Sequence, residues 1–187
     1  MTITRGWPPV YDFDTLALQI KDLISNQGIF QSFYSDDSSP ELMLCQGDVV
    51  QFCSPFPVVD SDGDISTLEE GYSQWLIVGN TCDLDRDIKT LDFTHISPLV
   101  ELDDTVPSTI ISGLKSYNSY KKFYLPSWND SKHPGYILDF TKMCSVHKSF
   151  LFNQKQVFLS ARMSYLSWLL FNSCIVRYFA RDDGRNT

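Results

Sequence analysis

The first half of this chain has few basic residues, and no long apolar run or paired-cysteine spacing appears anywhere in it. Residues 1–110 hold 4 Lys/Arg against 19 Asp/Glu, a net charge of −15, whereas residues 111–187 hold 11 against 4, a net charge of +7. These balances give the −8 of the whole chain. Overall acidity works against polyanion binding, but the second half could present a basic surface to a polyanion.

The five cysteines are an odd number and include no CxxC spacing, which argues against a disulfide framework and a zinc ribbon. The longest apolar tract, Tyr165 to Val176, has 12 residues and is interrupted by polar ones, whereas a membrane-spanning helix needs about 20. Met1 to Pro9 show no signal-peptide pattern. We therefore expect a cytoplasmic protein with reduced thiols and no membrane partner.

The N-terminal region predicts one helix, docked on a larger body. Leu16, Ile20 and their apolar neighbours recur at helical spacing, and Gly28 can end the helix. We interpret residues 1–40 as an N-terminal helical extension and residues 41–187 as the main domain.

The main domain reads as five to seven short strands followed by a long terminal helix, so the expected class is α+β. The predicted strands are Val49–Cys53, Trp75–Val78, Thr94–Leu102, Lys122–Leu125, Tyr136–Phe140 and Val157–Leu159. Trp75–Val78 is apolar at every position, as expected of a strand covered on both faces. Pro107 suits the first turn of a helix, and Ser160 is the expected cap of the terminal helix, which runs to about Phe179.

The first candidate site follows the strand that ends at Val78. Cys82 could act as a thiolate nucleophile, with His95 on the next strand as its base and Asp83 or Asp85 orienting the imidazole. Nearby carboxylates would, however, raise the pKa of the thiol. The alternative is a buried structural cysteine followed by an Asx-type turn, which Asp85 and Arg86 tie down.

An acidic stretch from Asp60 to Glu70 opens like a calcium loop, with oxygen ligands at alternating positions. The glycine required at the sixth position is Ile65, however, and the glutamate required at the twelfth is Gly71. We therefore interpret residues 58–71 as a solvated acidic loop and expect neither a metal nor a cofactor. Such a loop would suit a basic protein partner.

Cations and aromatic rings alternate in the second half. This set contains Lys115, Tyr117, Tyr120, Lys121, Lys122, Tyr124, Trp128, Lys132, His133, Lys142, His147 and Lys148. Phosphates pair with cations while bases stack on rings, so Lys121, Lys122, Tyr124 and Trp128 are candidate binding residues for single-stranded nucleic acid. The alternative is that the rings belong to the core and the lysines form an ordinary solvated face.

Asp139 lies within an apolar strand pattern, where an unpaired carboxylate would be costly. Arg162, near the start of the terminal helix, is the expected partner. The sequence therefore predicts a structural ion pair between these two residues.

The order of these parts carries a resemblance. Its elements are Gly47–Val50, the apolar strand Trp75–Val78, the strand with Pro98, the late strand Tyr136–Asp139, and Leu159–Ser160 at the terminal helix. Over residues 45–180 the chain resembles the MazF/PemK-like toxin family of SH3-like barrels. The phrase Thr81–Leu84 is also similar to uncharacterised prokaryotic proteins from mobile or defence-related gene neighbourhoods.

The resemblance implies a small SH3-like barrel, a homodimer, an RNA substrate and an antitoxin partner. The family's catalytic arginine has no counterpart, since residues 54–74 contain neither Arg nor Lys. The family's Thr or Ser after the proline is replaced by Leu99, which follows Pro98. A ribonuclease of this type would need Arg86 or His95 as substitutes, because attack by a 2′-hydroxyl requires a base and a cation.

Three functional hypotheses follow. The first is a toxin-like or phage-defence-associated protein that binds RNA or cleaves it with an altered site. The second is a non-catalytic protein-interaction module that binds a basic partner through the acidic loop. The third is a thiol-dependent enzyme that uses Cys82.

Overall fold

A computed structural model describes residues 13–35, 43–52, 56–59, 65–68, 74–128, 133–152 and 157–180. Its helices are α1 (Phe13–Ser25), α2 (Thr81–Asp85), α3 (Ser108–Lys115), α4 (Lys148–Leu151) and α5 (Tyr165–Phe179). Its strands are β1 (Asp48–Phe52), β2 (Phe56–Val59), β3 (Ile65–Leu68), β4 (Gln74–Ile77), β5 (Phe93–Leu102), β6 (Lys122–Pro126), β7 (Gly135–Asp139), β8 (Cys144–His147) and β9 (Val157–Arg162). The α+β class is therefore confirmed.

Seven strands form one antiparallel sheet in the order β6–β7–β5–β4–β1–β9, and β8 also pairs with β5. The ten-residue strand β5 organises this sheet, because its first half pairs with β4 and β8 while its second half pairs with β7. The described pairings leave the sheet open between β6 and β9. They do not close it into a barrel.

Both faces of the sheet are covered, and the side chains of each central strand alternate between two cores. Val50, Trp75 and Ile77 face a small core, while Val49 and Leu76 face a larger one. This arrangement explains why the Trp75–Val78 run is apolar at every position.

The large core lies under α1 and α5. Leu16 and Ile20 of α1 are buried in the same cluster as Leu170 and Phe171 of α5. The predicted N-terminal helix is thus confirmed, and Gly28 follows it in the left-handed conformation, with φ of 61°. A chain division at residue 40 stays a prediction, since residues 36–42 lie outside the described part.

The terminal helix starts later than predicted. Strand β9 extends to Arg162 and pairs along β1, and Met163 then forms an isolated bridge with Tyr34. The helix begins at Tyr165, and its cap is Ser164, whose side chain accepts a hydrogen bond from the Ser167 amide. The placement of the cap at Ser160 was wrong because the residues on either side of it, Leu159 and Ala161, pair with β1 and keep this segment in a strand. Among the described helices, none is long and apolar enough to cross a membrane.

Part of the predicted acidic loop is regular structure. Strands β2 and β3 form an antiparallel hairpin, with Phe56 opposite Leu68 and Val59 opposite Ile65. The acidic residues at 60–64 and 69–70 lie outside the described part, so the hypothesis about them stays a prediction. The expected five to seven strands were too few, since nine occur in the described ranges alone.

The predicted ion pair between Asp139 and Arg162 was also wrong. Arg162 instead pairs across the β1–β9 ladder with Asp48, through Nε to Oδ1 and Nη2 to Oδ2, both at 2.8 Å. Asp48 is fully buried, and burial raises its pKa although the Arg162 hydrogen bond acts in the opposite direction. Asp139 accepts hydrogen bonds from the amide and the hydroxyl of Thr141, at 2.9 and 2.7 Å.

Candidate functional site

Backbone hydrogen bonds to β5 hold the segment that follows β4, just before its run of polar side chains. The amides of Val78 and Gly79 both donate to the His95 carbonyl at 2.9 Å. A Cβ on Gly79 would lie 1.9 Å from Thr94 Oγ1, so only glycine fits there. Asn80 then caps α2, with its Oδ1 accepting from the Cys82 amide at 2.8 Å. An Asx-type turn is therefore present, but it precedes Cys82 instead of following it, and a single helical turn comes after it.

Cys82 lies in α2 and His95 in β5, and both are exposed. The interpretation of Cys82 as a buried structural cysteine was therefore wrong. In the part of the chain that the structure describes, no hydrogen bond joins the Cys82 thiol to the His95 ring. The catalytic assignment of Cys82, Asp83, Arg86 and His95 stays a prediction.

The charged side chains of α2 are on the surface. Arg86 Nη1 lies 3.5 Å from Asp83 Oδ1, and Asp85 is exposed. An exposed ion pair of this kind contributes little to stability, because water and salt screen it. The predicted substitute cation, Arg86, thus has a carboxylate beside it.

Lys148 is buried beneath this region, which its charge would not predict. Its side chain is 0% exposed, and Nζ donates to the carbonyls of Asp83 at 2.8 Å, Arg86 at 2.6 Å and, more weakly, Leu84 at 3.5 Å. The ammonium thus satisfies carbonyls at the C-terminal end of α2, where a cation is favourable. The interpretation of Lys148 as part of a surface set of cations was therefore wrong. Its position beside the apolar Phe150 and Leu151 was the available signal.

A second charged region includes the start of β6 and the turn after β7. We call its three lysines and one aromatic residue the basic patch: Tyr120, Lys121, Lys122 and Lys142. Lys121 and Lys122 are exposed, and Lys122 lies opposite Asp139 in the β6–β7 ladder. Partial burial works to raise the pKa of Asp139, but hydrogen bonds from Thr141 and the charges of Lys142 and Lys122 outweigh it and lower the pKa. Two lysines therefore lie near this one carboxylate, and the exposed Lys121 adjoins Lys122 in the chain.

The aromatic ring of the basic patch is Tyr120, which is 52% exposed. The Arg177 guanidinium lies 5.2 Å from the centre of this ring. Exposure of half the residue leaves ring surface to which a second planar group could bind.

The rings of Tyr124 and Trp128 are less exposed to solvent than a base-stacking role would require. Tyr124 is 1% exposed, and its hydroxyl donates to the Pro134 carbonyl at 2.7 Å. Because a base cannot reach this ring, Tyr124 does not belong to a stacking surface. Trp128 is half-buried, with one face stacked on Tyr136 at 4.4 Å and an edge contact with Tyr34.

Comparison with known proteins adds no family to this description: the chain matches no protein-family model and no curated protein. Within the described ranges, no group of three or more His, Cys, Asp or Glu side chains could hold a metal ion. The described structure thus presents two charged regions, α2 with its buried lysine and the basic patch.

Proposed function

We propose that this chain is a toxin-like protein that binds single-stranded RNA through the basic patch. One observation carries the proposal: Lys122 and Lys142 lie near a single carboxylate, and the exposed Tyr120 and Lys121 directly precede Lys122 in the chain. Phosphates of a single strand would pair with the lysines, while a base stacks on the ring.

The finer fold assignment belongs to this proposal. We infer that β9–β1–β4–β5–β8 is the SH3-like unit expected from the resemblance, with its barrel left open. In support, the first strand lies between the last strand and β4, and the β2–β3 hairpin lies in the connection from β1 to β4. A one-turn helix, α4, joins β8 to β9. A homodimer, an antitoxin partner, a cytoplasmic location and a role in phage defence stay predictions.

Binding without cleavage is the form of the proposal that the residues support best. The catalytic pair of the resembling family is missing, and the substitute Arg86 lies beside Asp83. Attack by a 2′-hydroxyl needs a cation free to stabilise the charge that develops on the phosphate. We therefore expect RNA to be bound and recovered intact.

The test is fluorescence anisotropy with a labelled single-stranded RNA at about 50 mM and about 200 mM salt, since phosphate contacts weaken as salt rises. The double variant Lys121→Glu/Lys122→Glu should bind about tenfold more weakly, and its salt dependence should be shallower by roughly 0.7 for each lost phosphate contact. Lys89→Glu is the matched control, because Lys89 is an exposed lysine among the acidic residues after α2.

Two results would reject the proposal. One is absence of RNA binding at low salt. The other is equal binding by the double variant and the Lys89→Glu control. Gel analysis of the same RNA after incubation separates binding from cleavage, and cleavage lost in His95→Ala or Arg86→Ala would favour the endoribonuclease alternative instead.

A further inference from the structure

A groove lies between α1 and α5, beside the turn that follows α3, on a different part of the chain from the basic patch lysines. Its volume is about 710 Å³. The α1 wall is largely apolar and includes Ala17, Leu18 and Ile24, whereas Asn118 and Arg177 contribute polar groups. Apolar walls with a few convergent polar groups are typical of small-molecule sites.

Arg177 is the unusual residue of this groove. It is only 8% exposed, and its Nη2 donates to the carbonyls of Tyr117 and, at 2.9 Å, Ser119. Its Nε is buried and has no hydrogen-bond partner in the described structure. Because a guanidinium is always charged in proteins, this side chain places a full positive charge beneath the groove wall.

No carboxylate compensates that charge in the described part of the chain, since neither of the two ion pairs found there involves Arg177. Among the described residues of the groove lining, Lys21 is a second cation and Asp14 is the one carboxylate. The formal charge of these described lining residues is therefore positive. A buried charge without a counter-ion is costly, and an anion in the groove would offset that cost.

We propose that the groove binds an amphipathic organic anion, a molecule with one carboxylate or phosphate group on an apolar tail. The head group lies near Arg177 and Lys21 and is held by their positive charges. The Nε atom of Arg177 lies beneath the surface, so it makes no direct contact with the head group. The tail packs along Ala17, Leu18 and Ile24. The volume falls within the range of roughly 300–1,000 Å³ that ligand pockets span.

Isothermal titration calorimetry with octanoate, octyl phosphate and octanol tests the head-group requirement. We expect at least one of the two anions to bind and octanol to bind about tenfold more weakly, as the loss of a charge-assisted interaction would cause. The two anions distinguish a carboxylate from a phosphate ligand. Equal binding of octanol, or no binding of either anion, would overturn the proposal.

Variants at exposed positions test the location without disturbing the carbonyls that Arg177 holds. Ala17→Trp fills the groove from the surface of α1 and should weaken anion binding about tenfold, while Lys21→Met should weaken it severalfold. Lys89→Met, outside the groove, should change nothing. Circular dichroism checks that each variant is folded. Unchanged affinity in a folded Ala17→Trp protein would contradict the proposal, and if that variant does not fold, unchanged affinity in Lys21→Met would do so.

Discussion

At the scale of single residues, burial rather than sequence neighbourhood separates the cysteines. Cys45 and Cys144 are half-buried, and burial raises the pKa of both thiols. Cys174 is buried, and its pKa is raised to about 12. Cys82 is the exposed one of these four. Accessibility therefore orders their reactivity, because both contact with the reagent and the thiolate fraction fall on burial.

We predict that iodoacetamide at neutral pH modifies Cys82 first and Cys174 last among these four, as peptide mass spectrometry would show. An unstructured thiol peptide gives the reference rate. A rate far above that value would favour the thiol-dependent enzyme. Faster labelling of Cys174 would contradict the burial on which this prediction depends.

Lys148 is the residue whose removal should cost most in the region of α2. Lys148→Met leaves the carbonyls of Asp83 and Arg86 without their donor, and we expect a loss of about 1–3 kcal/mol in the free energy of unfolding. Urea denaturation measures it. Lys89→Met is the control, since an exposed side chain should change stability by no more than about 0.5 kcal/mol. Equal effects of the two substitutions would show that the buried ammonium is not structural.

At the scale of elements, the sequence predicted the strands that carry their own pattern. Trp75–Val78 was recognisable as a continuous apolar run, and Thr94–Leu102 as a β-rich run. The short strand β8 was missed because only Val146 of its four residues is buried. Residues 160–162 were assigned to a helix because their strand conformation depends on pairing with β1, which no local pattern records.

The start of α5 gives a matched test of that correction. Ser164→Ala removes the side chain that caps the helix, so the free energy of unfolding should fall by about 1 kcal/mol. Ser160→Ala removes a hydroxyl within β9 and should have a smaller effect. Chemical denaturation of both variants provides the comparison. A larger loss of unfolding free energy for Ser160→Ala would contradict the observed start of α5 and favour a helix that begins near Ser160.

At the scale of the whole molecule, the sequence predicted the class and the helices at both ends, but not where charge is buried. The sequence placed Lys148 among the cations of a possible binding surface, because composition carries no record of which face a side chain takes. Only the assembled sheet brings Lys148 to α2 and Arg177 to the turn after α3. The exposure of Lys121 and Lys122 was therefore predictable, whereas the burial of Lys148 and Arg177 was not.

The large core also determines how the molecule responds to high pH. Burial raises the pKa of Tyr34 and Tyr117 well above the ordinary value of 10.0. The folded protein keeps these protons at a pH where the unfolded chain has released them. This contribution to stability is complete below about pH 10 and is lost as the pH rises from there through the raised pKa of the folded state.

We therefore predict a cooperative alkaline unfolding above about pH 10, with the absorbance of these tyrosinates appearing together with the loss of far-ultraviolet circular dichroism. A difference titration against Tyr117→Phe assigns the signal. Ionisation of Tyr117 while the circular dichroism remains native would contradict its burial in the large core.

The central claim, that RNA lies on the basic patch, is tested most directly by ultraviolet crosslinking of a bound single-stranded RNA followed by peptide mass spectrometry. Because Tyr120 is the exposed ring beside the lysines, we predict that the main crosslink falls on the peptide containing Tyr120, Lys121 and Lys122. Crosslinks confined to residues 80–92, with none at Tyr120, would contradict the claim.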